Sequence, residues 1–268
     1  MLSSTSLYNE AKRLHYMHSS KRALYCLFFV FLMPVSLFVP PTKFLWSSFD
    51  SWFFHTCNSY VAHHPVQRIF WALANIKITD LFGAFFLVGC FIIYILEGEG
   101  AERRKRIAQF LYMLIWFEIT ILLSKQCLNP IVQYFSICRH GPSLTTPETS
   151  YFLSQLAPWQ KVKDFSHSCF PGDHATIVFQ WCGFICYFLG KKRGVPITLF
   201  SIFFLLPRLI SGAHWISDLL VGSLPIVTAA LFLATTPLIM DKIMHLLYRL
   251  VGYTTQTGDP HVHLQTSS

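Results

Sequence analysis

The sequence predicts an all-α fold: a polytopic membrane bundle of six transmembrane helices with an aromatic segment lying at the membrane interface. Three observations carry that prediction. First, 53% of the 268 residues are hydrophobic, 26 are Phe, and only 13% are charged, roughly half the charge of an ordinary soluble domain. Such a chain cannot cover a soluble surface with polar groups, and it is far too apolar to be disordered. Second, six apolar stretches approach the ~20 residues that a spanning helix needs. Third, the basic residues fall in short runs between those stretches, which is the pattern of cytoplasmic loops.

In chain order, the first span is expected at 24–39, from Leu24 to Val39. It follows Lys12, Arg13, Lys21 and Arg22, as a signal peptide would, but its exit, Val39-Pro40-Pro41-Thr42, lacks small residues for cleavage. An uncleaved span is therefore expected. The stretch 40–77 holds Trp46, Trp52, Phe53, Phe54, Phe70 and Trp71 among polar residues. It is too polar to cross a bilayer and too aromatic to float free, so it suits helices in the headgroup layer. The remaining spans are expected at Ile78–Leu96, Ile107–Ser124 (interrupted by Glu118), His174–Leu189, Val195 to just past Leu206, and Leu219–Met240. Pro196 fits a first helical turn, whereas Pro207 and Pro225 kink or end their helices. The domain plan is a cytoplasmic segment at 1–23, a membrane domain at 24–240, and a tail at 241–268 that is polar and disordered from Tyr253.

Six spans place both termini on one side. That side carries 13 of the 21 Lys and Arg residues, including Arg103–Arg106 and Lys191–Arg193, so both termini are expected in the cytoplasm. The long loops 40–77 and 125–173 then face the outer compartment. The net charge of +8 thus reflects topology. It does not imply nucleic acid, because a groove would need these charges on one contiguous face. The eight cysteines include no C-x-x-C, which argues against zinc. Cys138 and Cys169 fall on the outer side, where they either form a disulfide or stay as two thiols.

Ionisable residues at span ends are the chemical signal, because polar groups near the membrane are costly. Arg208, His214 and Asp218 lie in Pro207-Arg-Leu-Ile-Ser-Gly-Ala-His-Trp-Ile-Ser-Asp218. His214 and Asp218 are four apart, so on a helix Asp218 would hold one imidazole N–H and free the other nitrogen as base or nucleophile. Arg208, past the flexible Gly212, offers a planar fork of donors suited to phosphate. Phe170-Pro171-Gly172-Asp173-His174 precedes a helix start, where free backbone N–H groups attract anions and Asp173 can cap the helix. Lys125 ends the third span, with Arg139 and His140 further along its loop. All three sets fall on one side of the membrane. The plainer readings also apply. Lys125 alone would snorkel, His140, His167, Lys161 and Lys163 read as solvated loop, and His55, His63 and His64 read as interfacial residues.

On these motifs the chain resembles the type 2 phosphatidic acid phosphatase superfamily of membrane lipid phosphatases. Its S-R-x5-H-x3-D motif corresponds to Pro207-Arg208-x5-His214-x3-Asp218, with Pro for Ser. Its P-S-G-H motif corresponds to Pro171-Gly172-Asp173-His174. Of its K-x6-R-P motif, Lys125 is in place but Val132 stands where the arginine belongs; Arg139 and Pro142 supply the missing pieces in a lengthened loop. The resemblance implies His214 as a nucleophile that forms a phosphohistidine and Asp218 as its orienting partner. It implies His174 as the acid that protonates the leaving oxygen and then activates water. Arg208, Lys125, Arg139 and backbone around Gly172 would bind the phosphoryl oxygens. No carboxylate cluster is available for Mg²⁺, so neither metal nor cofactor is expected. The implied substrate is a membrane lipid phosphate, such as a polyprenyl diphosphate, a lipid A phosphate or a glycerophospholipid phosphate, in a bacterial inner membrane with the site on the periplasmic face. Transfer of the phosphoryl group to a second lipid is the alternative within the family. A transporter or scaffold is the alternative outside it, but Glu118 is the one clear charge at mid-span.

Overall fold

The computed structural model describes residues 21–257 except 129, 131–133, 135–138 and 160. Among the described residues all regular structure is helical. The main helices are α1 (Lys21–Val35), α2 (Pro40–His63), α3 (Pro65–Ala74), α4 (Lys77–Leu96), and α5 (Gly100–Leu123), which a π turn extends to Leu128. Two short helices follow in the long loop after α5, α6 (Pro142–Thr145) and α7 (Leu153–Leu156). The second half holds α8 (Asp173–Leu189), α9 (Lys191–Phe203), α10 (Leu206–Ile210), a π segment Asp218–Ser223, α11 (Leu224–Ala234) and α12 (Pro237–Thr257).

The membrane-helix class stands, but the count of six spans does not follow from length and composition. Three helical stretches are long and apolar enough to cross: Lys77–Leu96, Gly100–Gln126 and Lys191–Ile210. Two bent pairs raise the number to five if each is one span: α1 with α2, bent by 78°, and Asp218–Ala234 with α12, bent by 70°. The expected fourth span, α8, has 17 residues, or about 26 Å at 1.5 Å per residue, just short of a ~30 Å hydrocarbon core. The near-perpendicular turn from α1 into α2 is the geometry of a helix running along an interface, and α2 leaves Phe44 and Trp52 exposed. The tail also differs from expectation: α12 carries helix through Thr257, past Met240 and the first residues of the polar tail.

The core sits between α4, α5, α8 and α12. Phe91, Tyr112, Met113, Phe184 and Ile185 are wholly buried there. Apolar burial drives helices together only weakly in lipid, so close backbone fit and internal hydrogen bonds must do more of the work. The α8–α9 hairpin shows this: a Cβ on Gly194 would lie 2.6 Å from Cys186 Cα. Gln180 donates to the Trp116 carbonyl and to Thr120 Oγ1, both at 2.9 Å, tying α8 to α5. Antiparallel packing brings the start of α4, the end of α5, the start of α8 and the end of α9 to one end of the bundle. The long loop between α5 and α8 folds over that end. Asn58 of α2 fastens it, donating to the carbonyls of Tyr151 and Ile210 at 2.9 and 3.1 Å.

Candidate active site

The turn 208–218 supplies the centre of the site. Pro207 starts the short helix α10, where a missing N–H costs nothing. The backbone then reverses at Gly212, whose φ of +89° is open to glycine and strained for other residues. A Cβ there would also meet Ser143 Cβ at 2.8 Å. The N–H groups of Ala213 and His214 both return to the Arg208 carbonyl, at 3.0 and 3.2 Å. Ser143, in the long loop after α5, donates its N–H and hydroxyl to the Gly212 carbonyl at 3.3 and 3.0 Å. The reversal places His214 beside the start of α8, with its motif partner Arg208 on the same cleft.

His214 is oriented differently from the sequence expectation. Its Nδ1 lies 3.0 Å from the Cys169 carbonyl oxygen and 3.7 Å from Asp218 Oδ2. The nearer acceptor is thus a backbone carbonyl, and the carboxylate acts on the ring as a neighbouring charge. The reason is local: Asp218 Oδ2 accepts the Trp215 N–H at 2.7 Å, closing its own turn, and Oδ1 accepts Nε and Nη2 of Arg139 at 2.9 and 2.8 Å. A carbonyl can only accept, so this contact assigns the proton to Nδ1 and, in the neutral ring, the lone pair to Nε2.

Arg139 is the second departure. It was expected to grip phosphate, yet its guanidinium lies behind His214, clasped by Asp218 and by Asp50 at 3.2 Å. Its Nη2 also reaches the Ser217 hydroxyl. Asp50 is itself buried and accepts the Ser217 N–H at 2.9 Å. Burial works against the Arg139 charge, but Asp218 and Asp50 more than offset it and hold its pKa above the usual arginine value. Two buried carboxylates would be untenable without this cation, which explains where the guanidinium goes.

In front of His214 opens a cleft of about 320 Å³, lined by Asp80, Lys163, Ser166, Ser168, Asp173, His174, Arg208 and His214, with Phe170 and Pro171 on its apolar side. It holds three of the expected residues, His174, Arg208 and His214. Arg208 donates to Asn75 Oδ1 at 2.6 Å and also to Asp80 Oδ2. His174 Nε2 is buried without a hydrogen-bond partner, 3.9 Å from Asp80 Oδ1. Lys125 lies apart from this group: it lines a recess of about 70 Å³ next door, which shares Asp173 and Ile177 with the cleft. Gly172 does not line the cleft. It is the residue before α8, and its carbonyl accepts the Ser223 hydroxyl at 2.8 Å. Asp173 makes no side-chain cap to α8 and instead faces both the cleft and the Lys125 recess.

Five contributors were not legible as site residues: Asp50, Asn75, Asp80, Lys163 and the Cys169 carbonyl. A carboxylate amid aromatic residues, as at Asp50, is a usable signal, because an unpaired one there is costly. Lys163 had read as solvated loop, since nothing in its sequence neighbourhood reveals that the loop folds back onto the bundle. It does so because Asp164 beside it is buried, accepting the Ser154 N–H at 2.8 Å. Cys169, His214 and Asp218 each bring one ligand atom within 4.8 Å of the others. That spacing suits a metal, but both Asp218 oxygens already serve Arg139 and Trp215. Cys138, the expected disulfide partner of Cys169, lies outside the described residues.

The model of the PAP2 superfamily matches residues 108–243, just over half the chain. The chain belongs to the PAP2 superfamily. The match includes His174, Arg208, His214 and Asp218 and leaves out Asp50, Asn75 and Asp80. The chain is also similar to a lipid A 1-diphosphate synthase of Escherichia coli (strain K12), 27% identical over 207 residues, covering 76% of this chain and 83% of that protein. No solved structure matches the chain.

Proposed function

We propose that the protein is an integral membrane lipid phosphatase that works through a phosphohistidine on His214. The observation that carries the reading is the cleft itself: two imidazoles, an arginine and a lysine converge at one end of an apolar helical bundle. Phosphoryl transfer asks a protein mainly for in-line positioning and for charge stabilisation on the equatorial oxygens. Arg208 and Lys163 supply the charge. His214 Nε2 attacks phosphorus as the bond to the leaving oxygen breaks, and His174 gives that oxygen its proton. Water then gives a proton to His174 and attacks phosphorus, the P–N bond breaks, and inorganic phosphate leaves with both imidazoles restored. Arg139 and Asp218 hold the His214 turn from behind. Lys125, one recess away, contributes at longer range.

A second cavity supports a lipid substrate. It measures about 440 Å³, is almost entirely apolar, and is formed by α1, α5 and α11. Phe170 and Pro171 line both it and the cleft, so a chain lying in the first puts its headgroup at the second. Transfer to a second lipid phosphate is the competing reading, favoured by the relative named for making a diphosphate on lipid A. The basic runs support a reading with both termini in the cytoplasm and the cleft on the periplasmic face of a bacterial inner membrane, an arrangement that requires an even number of crossings. Purified protein in detergent is expected to release phosphate from a lipid phosphate or diphosphate with EDTA present. Loss of release on chelation removes the metal-free reading, and label appearing on an added lipid phosphate acceptor selects transfer. An impermeant maleimide should label Lys163→Cys, and not Arg104→Cys, in intact spheroplasts.

A further inference from the structure

Asp80 is an anomaly in a cleft built for an anion. It stands in the first turn of α4, before the stretch the family model matches, and its carboxylate lines the cleft beside His174, Arg208 and His214. Its two oxygens do different things. Oδ2 accepts from Arg208, whose other terminal nitrogen is held by the buried Asn75. Oδ1 faces His174 Nε2 at 3.9 Å, with no hydrogen bond between them. The site thus contains two imidazole–carboxylate pairs of similar separation, His214 with Asp218 at 3.7 Å and His174 with Asp80 at 3.9 Å. Asp218 is sealed behind its histidine; Asp80 opens onto the cleft.

We infer that Asp80 is a positioning residue that favours the imidazolium form of His174 needed for leaving-group protonation and occupies Arg208 until a phosphoryl group arrives. The inference rests on the phosphatase reading above. Burial is the largest influence on His174 and disfavours its imidazolium, as do Arg208, His214 and Lys163, and together they outweigh the opposing charge of Asp80; Asp173 stands on the exposed side of the cleft. Asp80 is the carboxylate nearest the ring nitrogen. The gap of 3.9 Å leaves Nε2 free for a substrate oxygen, as a general acid requires. When a phosphoryl dianion enters, Arg208 turns to it, while Asp80 stays beside His174. The cleft then sets Arg208, Lys163 and protonated His174 against Asp80 and a phosphate of charge near −2, with Asp173 at its exposed edge.

The test compares Asp80→Asn, Asp80→Glu and wild-type protein in detergent, each checked for an unchanged melting temperature. The two substrates are a lipid phosphate, whose alkoxide leaving group needs a proton, and p-nitrophenyl phosphate, whose leaving group does not. Asp80→Asn is expected to lower kcat on the lipid phosphate by roughly tenfold or more, to lower it far less on the aryl phosphate, and to move the alkaline limb of the pH profile downward. Asp80→Glu should restore part of the loss. Equal losses on both substrates with an unmoved pH profile overturn the inference and leave Asp80 as a clamp for Arg208 alone. Wild-type protein that turns over neither substrate sinks the phosphatase reading instead. The inference is then decided by histidine NMR of the same variants, in which the His174 titration midpoint must fall in Asp80→Asn.

Discussion

The two arginines of the site form similar pairs and have opposite prospects. Arg139 is clasped by Asp218 and Asp50, whose side chains are 0% and 2% exposed. Arg208 is clasped by Asp80, which is 29% exposed. A buried carboxylate cannot release its cation, because water is not there to replace it. A partly exposed one can, and an incoming phosphate is a better partner for a guanidinium than a carboxylate that water can reach. The difference teaches that a guanidinium near a phosphate cleft is not thereby a phosphate ligand; the accessibility of its present partner decides. On the proposed reading, Arg139 holds a turn in place and Arg208 is the one free to meet a phosphoryl group.

The comparison breaks most visibly in activity. Arg208→Ala is expected to lower kcat/KM by about a hundredfold to a thousandfold with a melting temperature near that of the wild type. Arg139→Ala, by contrast, should destabilise the fold by about 3–5 kcal/mol, because it strands two buried carboxylates. Thermal unfolding in detergent and phosphate release, measured on both variants, distinguish the roles; the reverse pattern would exchange them. Arginine-to-lysine variants sharpen the contrast. Arg139→Lys should still unfold early, because a point charge cannot span Asp50, Ser217 and Asp218, while Arg208→Lys should fold normally and keep part of its activity. Next in size is Lys163→Ala, expected to raise KM about tenfold, the worth of one phosphate contact. Lys125→Ala should cost less than Lys163→Ala, given its place in the neighbouring recess; a larger KM effect at Lys125 would return it to the phosphate itself. The smallest effect is at His63, whose Nδ1 bonds the Ser59 carbonyl at 2.7 Å. His63→Ala should leave turnover unchanged.

Much of this site was legible because two motifs are local. Arg208, His214 and Asp218 lie on one continuous turn, and His174 opens a helix, so spacing alone shows that they can share a face. The supporting partners came from separate segments. Asp50 sits on α2, Asn75 and Asp80 flank the α3–α4 junction, and Lys163 lies in a loop that reads as solvent-exposed. The same holds for the helices. Hydropathy located α4 to the residue at its C-terminal end, yet missed the bends at 36–39 and 235–236 that leave three to five crossings by length and composition. A bend depends on what the two arms pack against, which no local window contains.

The sequence by itself determined the material of this protein: an apolar, helical, membrane-embedded chain with its basic residues in short runs between apolar stretches, and a histidine–arginine–aspartate turn that marks its family. Those features follow from composition, period and short-range spacing. Only the tertiary structure decided which cation meets which anion. It gave Arg139 to the buried Asp218 and Asp50, Arg208 to the half-buried Asp80, and the His214 N–H to the Cys169 carbonyl. The physical reason is that the strength and permanence of an ion pair depend on burial and on competing partners, and both are properties of the assembled fold.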